Sequence, residues 1–186
     1  MIIKEIEDAI LATDMAIYFK KRNTYFDLVE KNAFKWEQED HKSLLSSMLM
    51  TCCDLSAICK PWETQKRVAL LVAEEFFQQG DKERKVLNVT PIEMMDRAKK
   101  DKFPVMQVGY IDFICLPLYQ HVAQHYDVFK PMLEYVQDNK SRWKELADEH
   151  LRRVSQITSP QVEEVTKDEK EWEEMQGKKD IVVTYA

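Results

Sequence analysis

Apolar residues recur at helical spacing through most of the chain. From Ile2 to about Lys31 the marks are Ile6, Ile10, Ile17, Phe26 and Val29, with a turn or solvated break expected at Lys20-Lys21-Arg22-Asn23. A polar connection with Trp36 follows, from Asn32 to Asp40. His41 to about Cys59 is a second helix, with Leu44, Leu45, Met48, Leu49 and Cys52 on one broad face. Lys60-Pro61 ends it, because a residue before proline is pushed out of helical angles. A third helix is expected over Trp62–Gln79, closed by Gly80 as a C-terminal cap. Asp81 to Lys102 is charged and interrupted by Pro91, which suggests a short helix and then a mobile loop. Val105 to Tyr119 is apolar apart from Gln107 and Asp112; a helix apolar on every side belongs in a core, and Pro117 should kink it. Met132 to about Val154 is helical again, broken near Asn139 and carrying Trp143.

Composition sharpens this into an all-α reading. Only 3 glycines and 6 prolines in 186 residues leave little material for the turns of a strand-rich fold. The expected organisation is a folded part over 1–155 and a charged, partly disordered tail over 156–186. A net charge of -6 argues against a nucleic-acid binder that works through a broad basic face. No apolar run reaches the roughly 18 residues a membrane helix needs, and Glu5, Glu7 and Asp8 do not suit a signal peptide. Cys52, Cys53, Cys59 and Cys115 lack zinc-finger spacing and read as reduced, mostly buried thiols.

Two polar residues stand where apolar ones are expected. Asp54 has Met50, Ala57 and Ile58 one turn away. A carboxylate on such a face needs an ion partner, a capping role or a metal ion. Gln107 lies among Val105, Met106, Val108 and Ile111, with Tyr110 one turn on. Its amide can donate and accept at once, which suits either a loop backbone or the edge of a nucleobase, and an aromatic ring beside it could stack on that base. His121 and His125 are four apart, but without a glutamate between them they read as a helical pair rather than a metal motif.

The segments ILATDMAIYFKKR, MTCCDLSAICKPWETQKRVALLVAEEFFQQGDKERK and PIEMMDRAKKDKFPVMQVGYIDFICLPLY resemble the class I 3',5'-cyclic-nucleotide phosphodiesterases. The likeness runs from about Ile2 to His150 and is strongest to the cyclic-GMP-specific, cyclic-GMP-binding branch with its photoreceptor and dual-specificity relatives. It implies the C-terminal portion of a multi-helix catalytic domain. In that family, zinc and a second ion, Mg2+ or Mn2+, lie about 4 Å apart and share a hydroxide that attacks the cyclic phosphate, giving a 5'-monophosphate.

The resemblance places Asp54 as the last zinc ligand, Gln107 as the residue that hydrogen-bonds the base and Tyr110 as its aromatic clamp. Gln65 and Trp143 match the residues that hold the glutamine amide in one orientation, and Leu55, Ile58, Ala69, Val72, Phe76, Met94 and Met106 match pocket-lining positions. Tyr110 stands where a phenylalanine is usual, so its hydroxyl needs a partner. The chain contains no HNxxH and no HD pair, so the upstream zinc ligands and the proton-donating histidine are missing and no catalytic residue lies in this segment. The expectation is a partial enzyme, inactive alone, that favours cyclic GMP and could take cyclic AMP; the alternative is a short, non-catalytic paralogue that binds partners. The resemblance further implies a cytoplasmic protein, without nucleic-acid or membrane partners, that forms a homodimer at full length.

Overall fold

The computed structural model describes residues 2–157, and the expected tail lies outside them apart from the helical residues 156 and 157. Among the described residues, seven α-helices occur in the order α1 (Ile2–Leu11), α2 (Met15–Glu30), α3 (Glu39–Asp54), α4 (Trp62–Lys82), α5 (Phe103–Tyr110), α6 (Leu116–His125) and α7 (Lys130–Ile157). Short 3-10 and π turns join several of them, and no strand occurs among the described residues. The all-α expectation holds. Among the described residues, no helix is long and apolar enough to cross a membrane.

Two compact units divide the chain at Ala147 and Asp148. In the first, Tyr18 and Tyr25 of α2, Met48 of α3, Phe77 of α4, Leu118, Tyr119 and Val122 of α6, and Val136 and Trp143 of α7 are fully buried. The described part of the second is the end of α7, held by local bonds such as Arg152 Nε to the Asp148 carbonyl at 3.2 Å and by the Arg153–Glu149 pair.

Several boundaries differ from the sequence reading, each for a physical reason. The first break falls at Ala12–Asp14, not at Lys20–Asn23, because the Asp14 carboxylate caps α2 by accepting from the Ala16 N–H at 2.8 Å. The Lys20–Asn23 run lies inside α2. Gly80 does not cap α4 but lies buried within it. A Cβ at this position would stand 2.0 Å from the Met95 carbonyl oxygen, so the absent side chain is what lets the 93–95 turn lie against the helix.

The segment after α4 is pinned down rather than loose. Arg97 forms a two-pronged bond to Glu74 (2.8 and 3.0 Å), a third to Asp81 (2.8 Å), and lies over the Phe77 ring; Arg84 holds Asp96 at 2.8 Å.

Val105 to Tyr119 is helical, but it is not buried all round. Ile111, Cys115, Leu118 and Tyr119 are buried, whereas Val105 and Phe113 are exposed. A π turn over Ile111–Cys115 separates α5 from α6, and its cause is in the sequence. Pro117 has no N–H, so the Phe113 carbonyl four residues earlier lacks its helical donor. Arg22 donates to that carbonyl at 2.8 Å and Tyr18 donates to the next one, Ile114, at 3.1 Å. Arg22 thus satisfies the carbonyl that the proline frees, and Tyr18 braces the one beside it.

Candidate functional site

Asp54 is the last residue of α3, and the chain turns at once through Leu55 into a 3-10 turn over Ser56–Cys59. The carboxylate is exposed, which corrects the expectation of an acid on a buried apolar face. Its neighbour Ile58 is the buried member of the turn, and Leu55 is half-buried beside it. Lys60 is extended, as the following proline requires, and Pro61 opens α4.

Gln65 lies in the second turn of α4. It is 3% exposed, and its Oε1 accepts from the Trp143 indole N–H at 2.8 Å. Trp143, itself 1% exposed, packs edge-on against Trp62 (5.1 Å, 70°) and against Phe103 (5.5 Å, 88°). One indole therefore joins the start of α4 to the start of α5. From Phe103 the next positions on the same helix face are Gln107 and Tyr110, since residues four and three apart line up on a helix. Gln107 and Met106 are half-buried.

Tyr110 connects this face to Asp54. Burial raises its hydroxyl well above the ordinary tyrosine value, and the neighbouring Cys115 and the Asp54 carboxylate add to the shift. Cys115 is a free thiol pushed up to about 12 by burial, with the neighbouring Tyr110 acting the other way. Nearby, Tyr119 donates to the Cys52 carbonyl at 2.7 Å, fixing α6 to the end of α3. Burial lifts the Cys59 thiol to about 11. All four cysteines are free, three of them buried and Cys53 exposed.

Ala69, Val72 and Phe76 follow Gln65 at intervals of four, three and four along α4, so they form one stripe. Val72 is 43% exposed, as is Met94 in the turn that packs on α4. The stripe borders the helix's buried face, and part of it is open to solvent.

The histidines serve other ends. His121 stacks on Phe26 (3.7 Å) and contacts Glu30 at 3.0 Å, while His125 shares a bond with the Tyr25 hydroxyl at 2.9 Å. Among the described residues, no group of three or more His, Cys, Asp or Glu side chains is placed to hold a metal ion. Asp54 fits such an ion as a single unpaired donor, and zinc wants about four. The described residues therefore do not make a metal centre by themselves.

Comparison with known proteins decides the lineage. The profile of the 3'5'-cyclic nucleotide phosphodiesterase family matches residues 1–136. The chain belongs to that family. Over 147 residues, 79% of its length, it is 52% identical to the cGMP-specific 3',5'-cyclic phosphodiesterases of Drosophila virilis, Drosophila mojavensis and Drosophila melanogaster. The shared stretch is 16% of the first of these relatives and 13% of the other two, so the chain spans a small part of each. Within this phosphodiesterase segment the structure joins Gln65 to Trp143 and sets Tyr110 near Asp54. Motif reading missed the Arg97–Glu74 clasp and the part played by Asn139, and the kink it expected at Pro117 takes the form of a π turn just before the proline. A helical proline frees the carbonyl four residues before it, which is why Pro117 marks that place in the sequence.

Proposed function

We propose that this chain supplies the base-recognition side of a cyclic-nucleotide phosphodiesterase and acts within a longer catalytic assembly that hydrolyses 3',5'-cyclic nucleotides, cyclic GMP in preference to cyclic AMP. The supporting observation is the buried Gln65–Trp143 bond, which fixes the Gln65 amide through an indole that also packs on Phe103, at the start of the helix that carries Gln107 and Tyr110. The Gln107 amide would read the purine edge, with Tyr110 against its face. Ala69, Val72, Phe76, Met94, Met106, Leu55 and Ile58 would supply the apolar walls, a role that fits the partly open stripe on α4.

Asp54 would be the one donor among the described residues to the zinc centre of the assembly, the remaining ligands, the Mg2+ or Mn2+ contacts and the proton donor coming from outside these residues. When bound, such ions supply the activated hydroxide of phosphoester hydrolysis. The preference for cyclic GMP rests on orientation: a glutamine amide can present either face to a purine, and a fixed neighbourhood favours one.

The test is reconstitution. Fused to the upstream portion of the Drosophila melanogaster relative, the chain is expected to hydrolyse cyclic GMP, whereas the 186-residue chain alone does not. Asp54→Asn in the fusion should lower turnover by about 100-fold or more, the scale seen when a group acting on the reacting centre is removed. A fusion that folds and binds metal yet leaves cyclic GMP and cyclic AMP intact would refute the reading.

A further inference from the structure

We infer that Asn139 is a positioning residue, one that hangs the turn between Asp54 and Gln65 on α7 by holding two backbone carbonyls at once. The sequence suggests a helix break at this asparagine, but α7 runs straight through it and the side chain is 0% exposed. Its Nδ2 donates both protons, one to the Ile58 carbonyl and one to the Lys60 carbonyl, each at 2.8 Å.

Those carbonyls need an outside donor for a reason written in the sequence. In a 3-10 turn the Ile58 carbonyl would look to the residue three further on, and that residue is Pro61, which has no N–H. Lys60 is forced into an extended conformation by the same proline. Asn139 replaces the lost donors from a different helix.

The other end of the amide shows what the residue is kept for. Oδ1 is buried and has no hydrogen-bond partner. An apolar side chain would fill the space without that unmet acceptor, so packing alone does not account for an asparagine. The two donors do.

One helical turn along the same face of α7, Trp143 donates to Gln65. The Gln65 backbone N–H is in turn bonded to the Pro61 carbonyl at 3.0 Å. Asn139 and Trp143 thus hold the 58–65 segment at its two ends. Under the proposed function, this spacing fixes the Asp54 carboxylate relative to the base-reading side, and the inference rests on that reading for its catalytic meaning.

Two variants separate the donors from the volume: Asn139→Asp keeps the shape but turns an acceptor toward both carbonyls, and Asn139→Leu keeps the packing without either donor. Val136→Ala, on the same buried face of α7 but with no polar tie to the turn, is the control for general destabilisation. In the 186-residue chain, amide exchange over residues 56–60 and exchange of the Trp143 indole N–H should both speed up about tenfold in the two Asn139 variants, beyond any effect of Val136→Ala. In the fusion with the upstream portion of the relative, both should raise KM for cyclic GMP about tenfold, and the control should leave KM unchanged. Wild-type exchange at 56–60, or changes no larger than the control's, would overturn the role. A fusion inactive without any substitution would instead refute the proposed function, and the exchange result would still decide on Asn139.

Discussion

Trp143 does two things with one ring: its faces and edges pack on Trp62 and Phe103, and its N–H satisfies a buried amide oxygen. Trp143→Phe keeps most of the first and deletes the second. Leaving the Gln65 oxygen buried without a donor should cost about 1–3 kcal/mol, measured as a lower denaturant midpoint with an unchanged m-value. His125 is a second test at this scale. Burial lowers its pKa while its ring bonds the Tyr25 hydroxyl and packs on Phe34 and Tyr126. A histidine whose folded value is depressed takes up protons more readily when unfolded, so its stabilising share is full above about pH 6.5 and lost as pH falls through the folded value. The denaturation midpoint should fall on acidification from pH 7 toward 5, and less steeply in His125→Asn.

Asp54 and Gln107, with Tyr110 beside it, stand out by pattern, whereas Gln65 and Trp143 follow only from the family resemblance; of these the structure pairs Gln65 with Trp143. Their physical settings were less legible. Asp54 was expected on a buried face because Met50, Ala57 and Ile58 flank it, but α3 ends at Asp54, and beyond that point helical spacing no longer says what is near. Asn139 was misread for the opposite reason. Asparagine favours turns in general, and only a second segment brought alongside, with its carbonyls freed by Pro61, reveals why one sits in a helix.

Elements show the same division. Helix type was read correctly from periodicity, but ends were set by single contacts that lie far apart in sequence. Gly80 punctuates nothing; it gives way to the Met95 carbonyl, a partner in a different element. Gly80→Ala, ordinarily a favourable change inside a helix, should here destabilise by about 1–3 kcal/mol, because the overlap is with backbone that must move. Thermal or chemical denaturation reads this directly. Arg97 makes a parallel case. Its loss leaves the nearly buried Glu74 carboxylate without its two-pronged partner, and Arg97→Ala should cost about 2–3 kcal/mol, the low end for a buried pair because the guanidinium keeps some contact with water. The charged 81–102 stretch looked loose because charge in sequence usually means solvent, whereas Arg97 meets Asp81 and Glu74, and Arg84 meets Asp96.

At the scale of the whole molecule, the exposed Ile3, Ile6 and Ile10 on α1 and the open stripe on α4 accompany a chain that matches only 13–16% of its relatives' length. Under the proposed function these features fit a recognition portion of a longer enzyme: Gln107 and Tyr110 would hold a purine, and the groups that act on the phosphate would come mostly from outside the described residues. The central claim concerns Gln107, and one comparison tests it most directly. In the fusion with the upstream portion of the Drosophila melanogaster relative, KM and kcat are measured for cyclic GMP and cyclic AMP with and without Gln107→Ala. Loss of base hydrogen bonds should raise KM for cyclic GMP by about 10-fold or more, shrink the preference over cyclic AMP, and change kcat little. Unchanged KM values for both nucleotides would mean that Gln107 does not read the base, and would contradict the account.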